Sequence, residues 1–149
     1  MPDKIHLTVA TVVKRDNLFL MVKETEFGRS VINQPAGHVE PGEDIIDAAI
    51  RETYEETGWH VEIQNLIGIY SSKAKKISGI TYYRLAFLAT ALSHDPDATI
   101  DADIDEVIWL SEAEINKSVD MLRSELVLKC IKDFNNGAVF PLDIFRNRL

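Results

Sequence analysis

Six segments of the chain have the residue pattern of β-strands, in some through alternation of apolar and polar residues and in 18–22 through a near-continuous apolar run. The longest segment, 80–92, places Tyr83 and Leu85 on one face and Arg84 on the other. Polar or glycine-containing stretches separate the segments and predict turns or loops, for example at 26–30. The predicted strands are 6–13, 18–22, 31–34, 61–71, 80–92 and 105–110.

A helical period of 3.6 residues replaces the strand period in the remaining segments. Apolar residues recur at helical spacing from Ile46 to Thr57. Ser111 and Glu114 form a capping box that predicts a short helix, and 124–135 is a further amphipathic helix. A chain of 149 residues suits one domain with a substantial core, so we predict a single domain over 1–149.

Residues 37–59 join a glycine-containing loop to an acidic helix. Asp44 is the predicted N-cap of this helix and Gly58 is placed to end it. The helix carries three glutamates within little more than one turn, all predicted on one side, whereas its apolar residues form the opposite stripe. The three glutamates are Glu52, Glu55 and Glu56.

The acidic side of this helix predicts a bound divalent cation. Like charges at i, i+4 destabilise a helix, and Glu55 and Glu56 lie towards the C-terminus, where the helix dipole disfavours negative charge. A cation reverses both effects, and carboxylate oxygens suit Mg²⁺ or Mn²⁺. Because Mg²⁺ usually completes its shell with water and phosphate oxygens, a phosphorylated substrate is expected. Arg51 is spaced to tether Glu55.

The same stretch resembles the Nudix box, which spaces a glycine, a glutamate and an Arg-Glu…Glu-Glu-x-Gly cluster along a loop and helix. Thr53 is more polar and Trp59 bulkier than the residues usual at the apolar positions of that pattern. A solvated acidic helix in an unrelated domain is the competing interpretation. The matching residues are Gly37, Glu43, Arg51, Glu52, Glu55, Glu56 and Gly58.

The resemblance implies an α/β (α+β) fold, in which a central mixed β-sheet is sandwiched between helices. It also implies a hydrolase that cleaves phosphoanhydride bonds through water attack with Mg²⁺, or Mn²⁺ as a substitute. Glu52, Glu55 and Glu56 would be metal ligands, with the Gly37 carbonyl as a further one. Arg51 would orient a catalytic glutamate, either Glu52 or Glu55. Glu43, at the junction of loop and helix, would assist Arg51.

The general base is either a box glutamate or an acidic residue from the later loop. The later candidates, in a segment that also reads as an ordinary acidic loop, are Asp103, Asp105 and Glu106.

Substrate contacts are expected outside the box. Arg84, a charge in mid-strand, pairs either with a structural carboxylate or with a substrate phosphate. Tyr82 is either a stacking surface or a core residue. Gln34 is a candidate for contacting a base edge only if it is exposed, and the loop residue His38 is a candidate for contacting a phosphate.

The net charge of −8 disfavours duplex nucleic acid as a partner and leaves a small phosphorylated molecule as the expected one. The single cysteine, Cys130, excludes an intrachain disulfide and lies among apolar residues, which predicts a buried structural thiol. The N-terminal residues 1–4 contain no apolar signal core, and no apolar run is long enough to span a bilayer. We therefore expect no membrane partner, a cytoplasmic location, and a monomer or homodimer.

Several activities remain open at this stage. The residues 34–38 and the apolar tail 140–142 resemble the NudJ-like phosphatase branch, which implies nucleoside tri- and diphosphates or thiamine-pathway pyrophosphates as substrates. The alternatives are an RNA 5′-pyrophosphohydrolase, for which the only basic run is 73–76, and a dinucleoside-polyphosphate or nucleotide-sugar pyrophosphatase. A catalytically silent ligand-binding module would be expected to have lost box residues, and this chain retains them.

Overall fold

The computed structural model describes residues 4–149. The prediction that residues 1–4 contain no signal core therefore lies mostly outside the described residues. The strands are β1 (Lys4–Arg15), β2 (Leu18–Glu26), β3 (Arg29–Asn33), β4 (Ala36–His38), β5 (Trp59–Lys73), β6 (Ile80–His94) and β7 (Ile104–Ser111). The helices are α1 (Ile45–Thr57), α2 (Glu112–Lys117) and α3 (Glu125–Asn135). Two short 3₁₀ turns occupy Val119–Met121 and Leu142–Ile144.

The described strands form one mixed sheet in the order β3-β2-β1-β6-β5, with β4 paired to β1 and β7 paired to β2. Strands β1 and β6 run parallel, from Lys4 opposite Ile80 to Val13 opposite Ala89. The other pairings between named strands are antiparallel. Parallel neighbours need a long crossover, and the chain between β1 and β6 supplies it. The predicted mixed sheet is confirmed.

Helices α1 and α3 cover two separate hydrophobic clusters. One cluster joins α1, through Ile46 and Ala49, to Val9 of β1 and Phe87 of β6. The other joins α3 to the sheet, and it includes Cys130, which is fully buried as predicted. The α/β sandwich is therefore confirmed, and α1 presents the acidic box from one side of the sheet.

The caps of α1 agree with the sequence. The Asp44 side chain accepts hydrogen bonds from the backbone N–H groups of Ile46 (3.0 Å) and Asp47 (3.2 Å). Gly58 adopts a left-handed conformation with φ 75°, and its N–H donates to the Tyr54 carbonyl. The capping box of Ser111 is also present at the start of α2.

One local prediction was wrong in its boundaries, and one short strand was not predicted. The predicted loop 26–30 is only a two-residue turn, because Phe27 (φ 50°) and Gly28 (φ 76°) reverse the chain with positive φ angles. Strand β4 was not predicted, since its three residues carry no periodic pattern. Pairing with β1 defines it, through registers such as Val9 opposite Gly37.

The apolar tail packs back on the domain only in part. Phe145 approaches Phe87, with ring centroids 5.7 Å apart, and Phe140 forms a bridge with Leu66. The Ile144 side chain is 55% exposed, and those of Val139 and Phe140 are nearly half exposed. Within residues 4–149, the helices all lack the length and apolar character needed to cross a membrane.

Candidate active site

Arg51 organises the carboxylates at the front of α1. Its Nε and Nη2 atoms donate to the two oxygens of Glu43, at 2.7 and 3.0 Å. Its Nη1 donates to Glu52 Oε1 and Glu55 Oε2, both at 3.0 Å. The Nη2 atom also donates to the His38 carbonyl at 3.0 Å. The planar guanidinium fork thus fixes loop and helix together.

These contacts shift the pKa values of the carboxyls in opposite directions. The hydrogen bond from Arg51 holds the pKa of Glu43 below its ordinary value, which keeps Glu43 ionised. Burial raises the pKa of Glu52, and the positive charge of Arg51 only partly opposes that effect. Glu52 is therefore a stronger proton acceptor than a solvated glutamate.

An acidic trio forms where α1 meets the loop before β7. Glu52, Glu55 and Asp101 each offer one carboxylate oxygen, and these atoms all lie within 4.8 Å of one another. The loop is pinned to the helix because the Asp101 N–H donates to the Glu55 carbonyl at 3.0 Å. Three hard oxygen donors at this separation suit a divalent cation of the Mg²⁺ or Mn²⁺ type.

Sequence reasoning missed Asp101 and selected three neighbours that lie outside the trio, so their role as a general base stays a prediction. Asp105 accepts a hydrogen bond from Thr25 Oγ1 at 2.7 Å, and Glu106 pairs with Lys23 at 3.2 Å. Asp103 is exposed and does not join the trio. The acidic character of the loop was a signal for the segment, but it contained nothing that distinguished Asp101.

Gly37 lies directly against the trio. A Cβ atom added at Gly37 would overlap the Glu52 carboxylate. Any residue other than glycine would therefore force that carboxylate to move. Metal ligation by the Gly37 carbonyl stays a prediction.

Glu56 does not share the exposed side of α1 that the sequence predicted for all three glutamates. Its side chain is buried, and its Oε1 accepts a hydrogen bond from the Ala36 N–H at 2.7 Å. Burial raises the pKa of Glu56 to about 8, so the metal-free carboxyl is mostly protonated at neutral pH. Glu56 lies under β4 and outside the trio, and its role as a metal ligand stays a prediction.

Two predicted substrate contacts are buried. Gln34 is 1% exposed, and its Nε2 donates to the Val127 carbonyl at 2.6 Å. Gln34 was a candidate for contacting a base edge only if exposed, and it is buried. Its hydrogen bond to Val127 instead connects α3 to the segment after β3. Arg84 is 6% exposed and donates from Nη2 to Asn33 Oδ1 at 2.9 Å. One prediction paired Arg84 with a structural carboxylate. Among residues 4–149, no carboxylate oxygen lies within 4.0 Å of the Arg84 guanidinium.

The other two predicted contacts, His38 and Tyr82, lie together at the rim. His6, which sequence reasoning missed, joins them: its Nδ1 lies 2.8 Å from His38 Nε2. The ring of Tyr82 meets the His6 ring edge-on, with centroids 5.2 Å apart. His6 is opposite Tyr82 in the β1–β6 register, and Thr8 is opposite His38 in the β1–β4 register. Only the pairing of these distant strands reveals the group.

The fold and the arginine-linked acidic helix define a class of protein. The profile of the NUDIX domain matches residues 4–129, which is most of the chain. The chain therefore belongs to the Nudix family and is a Nudix hydrolase, an enzyme that acts on phosphoanhydride bonds.

Individual relatives support the same assignment. Phosphatase NudJ of Shigella boydii serotype 4 is 38% identical over 141 residues, covering 95% of this chain and 90% of that protein. Phosphatase NudJ of Escherichia coli K12 is 37% identical over 141 residues, again covering 95% of this chain and 90% of that protein. A solved structure of a NUDIX hydrolase from Nitrosomonas europaea is 41% identical, with a TM-score of 0.92 and 97% of both chains covered. The resemblance to the NudJ-like branch is confirmed.

Proposed function

We propose that this enzyme is a Mg²⁺-dependent hydrolase of nucleoside tri- and diphosphates or related small pyrophosphates, with Mn²⁺ as a substitute. The observation that carries the proposal is the convergence of Glu52, Glu55 and Asp101 beside the Arg51 fork. The relatives named phosphatase NudJ support release of orthophosphate from such substrates.

The residues present fit a hard divalent cation. All three donors in the trio are carboxylate oxygens, and two of them are also held by Arg51, which limits their freedom to move. Glu52, Glu55 and Asp101 would hold the ion, with the Gly37 carbonyl and Glu56 as further candidates from the family resemblance. When bound, the ion supplies charge neutralisation of the phosphates and a lower pKa for water.

The chain's own residues supply proton transfer and orientation. Glu52 is our choice as proton acceptor for the attacking water, because Arg51 holds its carboxylate within the acidic trio. Arg51 holds Glu52 and Glu55 through one nitrogen, while Glu43 fixes the other edge of the guanidinium. Arg51 and Glu43 are therefore positioning residues for the carboxylates.

The partner proposed for this site is a small phosphorylated molecule, for which the rim of His6, His38 and Tyr82 offers the adjoining surface. Duplex nucleic acid is excluded from the proposal because of the net charge of −8. A cytoplasmic location and a monomeric or homodimeric state remain part of the proposal, carried over from the sequence.

A hydrolysis panel tests the proposed function directly. Nucleoside tri- and diphosphates, thiamine-type pyrophosphates, nucleotide sugars and capped dinucleotides are incubated with Mg²⁺ or Mn²⁺, and orthophosphate and pyrophosphate are measured separately. We expect metal-dependent orthophosphate release from the first two groups. Preferential cleavage of nucleotide sugars or capped dinucleotides would contradict the proposed substrate class.

A matched pair of variants tests the trio. Asp101→Asn removes the charge of a proposed ligand, and Asp103→Asn removes the same charge two residues away in the same loop. We expect Asp101→Asn to lower kcat about 100-fold or more, because ligands that stabilise the transition state carry effects of this size. Asp103→Asn is expected to stay within about threefold of the parent enzyme. Equal effects of the two substitutions would remove Asp101 from the site.

A further inference from the structure

The last five residues of the chain, 145–149, run beside the loop that leads into α1. Phe145 packs against Phe87 of β6, and the antiparallel bridge between Phe140 and Leu66 fixes the segment before it. The end of the tail and the start of α1 line a cleft of about 210 Å³. This part of the tail is therefore not close-packed against α1, and polar contacts decide how it is held.

Arg148 holds the end of the tail to α1. Its Nε donates to both oxygens of the Asp44 carboxylate at 3.1 Å, and its Nη2 donates to Asp44 Oδ2 at 2.8 Å. The Nη2 atom also donates to Asp47 Oδ1 at 3.3 Å. Within residues 4–149, these are the only hydrogen bonds found between the tail 145–149 and the start of α1. A forked contact of this kind fixes direction as well as distance.

Asp44 is thereby held from two sides. Its carboxylate is buried, and it accepts from the backbone N–H groups of Ile46 and Asp47 as well as from Arg148. Removing Arg148 would leave a buried carboxylate with its helix contacts but without its cationic partner. Such a charge draws in water or turns towards solvent, and the backbone of Asp44 moves with it.

Glu43, the preceding residue, passes that displacement to Arg51. Glu43 and Asp44 share a planar peptide group, so a rotation of the Asp44 backbone moves Glu43. Both carboxylate oxygens of Glu43 accept from Arg51, at 2.7 and 3.0 Å. The Nη1 atom of the same guanidinium holds two carboxylates of the acidic trio. The tail is thus connected to the trio through a continuous series of short polar contacts.

We propose that Arg148 is a positioning residue for hydrolysis: by fixing Asp44, it sets the position of Glu43 and so the direction in which Arg51 presents the carboxylates of the trio. This inference rests on the proposed function, because it extends the positioning role given there to Arg51 and Glu43. Arg148 lies outside the trio and outside the rim of the site. Its loss should therefore lower kcat and leave KM nearly unchanged.

A purely structural role for Arg148 makes a different prediction. The Arg148 side chain is 48% exposed, and ion pairs with an exposed partner contribute little to stability. If Arg148 only held the tail in place, its loss would shift the urea midpoint and leave the kcat of the folded enzyme unchanged. A positioning role requires the reverse, a clear loss of kcat with a shift of the urea midpoint of at most about 0.5 M.

Arg148→Ala and Arg146→Ala are the matched variants, compared by steady-state kinetics on the best substrate of the hydrolysis panel. Arg146 is an exposed arginine of the same tail and lines the same cleft. We expect Arg148→Ala to lower kcat about tenfold with KM within about twofold, because small displacements of catalytic groups have effects of this order. Arg148→Lys, which keeps the charge but not the fork, should recover about threefold of the loss. An unchanged kcat in Arg148→Ala, or an equal loss in Arg146→Ala, would overturn the proposal.

A double-mutant cycle with Glu43→Gln tests the route of the effect. If Arg148 acts through Glu43, adding Arg148→Ala to Glu43→Gln should lower kcat by less than about twofold, because the two changes affect one series of contacts. A further loss of about tenfold in the Glu43→Gln background would mean that the two residues act independently. That result would overturn the proposal.

Arginine side-chain NMR in EDTA measures the same coupling without turnover. The Arg51 Nε–H is bonded to Glu43 and should exchange slowly with water, and Arg51→Lys assigns its signal. We expect faster exchange in Arg148→Ala and the parent rate in Arg146→Ala, whereas an unchanged rate in Arg148→Ala would contradict the proposed link. Faster exchange in a protein that hydrolyses nothing in the Mg²⁺ panel would mean that the proposed function fails while the link between the tail and Arg51 stands.

Discussion

The backbone at Gly37 runs so close to the Glu52 carboxylate that no side chain fits between them. The atoms in the way are the far end of a flexible side chain, which can move when the neighbouring residue is enlarged. A substitution at this position should therefore displace the proposed proton acceptor, Glu52, without breaking the fold.

Gly37→Ala is expected to lower kcat about 100-fold, because displacing a reacting group by about 1 Å has effects of this size. The free energy of unfolding should change by less than about 1 kcal/mol. Activity assays and urea denaturation measure the two effects. Gly28→Ala is the opposite control, because Gly28 has φ 76° and open space around it, so strain should reduce stability and spare activity.

The buried Glu56 carboxyl makes the stability of the metal-free protein depend on pH. Its pKa is about 8 in the folded chain and near the ordinary 4.5 in the unfolded chain. Between these values the folded state binds the proton and the unfolded state does not. The stabilisation is therefore complete below pH 4.5 and is lost as pH rises through 8.

Glu56→Gln removes this titration but keeps an oxygen that can accept from the Ala36 N–H. In EDTA, we expect the variant to gain stability relative to the parent enzyme as pH rises from 6 to 8, by at most about 1.4 kcal/mol per unit. Urea denaturation at each pH measures the difference. A difference that is constant with pH would show that Glu56 is already ionised in the folded, metal-free enzyme.

At the scale of elements, α1 determines where the box residues stand. Its first turn is fixed by Asp44, which caps two backbone N–H groups and also pairs with Arg148 near the end of the chain, with an N–O distance of 2.8 Å. The Arg148 hydrogen bond holds the pKa of Asp44 below its ordinary value. Helix, loop and tail thus meet at one buried carboxylate.

Asp44→Ala is expected to reduce the free energy of unfolding by about 2 kcal/mol, through loss of the cap and of a partly buried ion pair. Asp44→Ser should recover roughly half of that loss, because serine caps a helix but cannot pair with Arg148. Denaturant titration separates the two contributions. Asp47→Ala, at an exposed residue that also contacts Arg148, should cost less than about 0.5 kcal/mol.

At the scale of the whole molecule, the C-terminal tail closes the cluster on the α1 side of the sheet. Phe145 and Leu142 pack against that cluster from a segment that follows the last helix. The antiparallel bridge between Leu66 and Phe140 holds the segment in place, through two backbone hydrogen bonds of 2.8 and 3.0 Å. Leu142 and Phe145 therefore extend the core, while the rest of the tail stays largely exposed.

Phe145→Ala should reduce the free energy of unfolding by about 2–3 kcal/mol, because it removes a large ring from a partly buried contact with Phe87. Ile144→Ala, at the neighbouring and largely exposed residue, should cost less than about 1 kcal/mol. Thermal and urea unfolding compare the two. Similar losses for both would mean that the tail is held by its backbone alone.

The sequence predicted the features of α1 that depend on near neighbours along the chain. Helix α1 and its caps at Asp44 and Gly58 follow from periodicity and from the conformations those residues prefer. The pairing of Arg51 with Glu55 follows from helical spacing. The mixed sheet depends on pairing between distant strands, and only the resemblance to the Nudix box implied it.

Only the tertiary structure decided which distant groups meet. Asp101 joins the trio because the loop before β7 is pinned to the end of α1, and Glu56 is buried because β4 crosses above it. Gln34 and Arg84 are enclosed by pairings between strands far apart in sequence, so no local pattern revealed their burial. Local spacing thus placed the carboxylates of the box on α1, whereas long-range packing decided which of them are buried and which stay partly exposed.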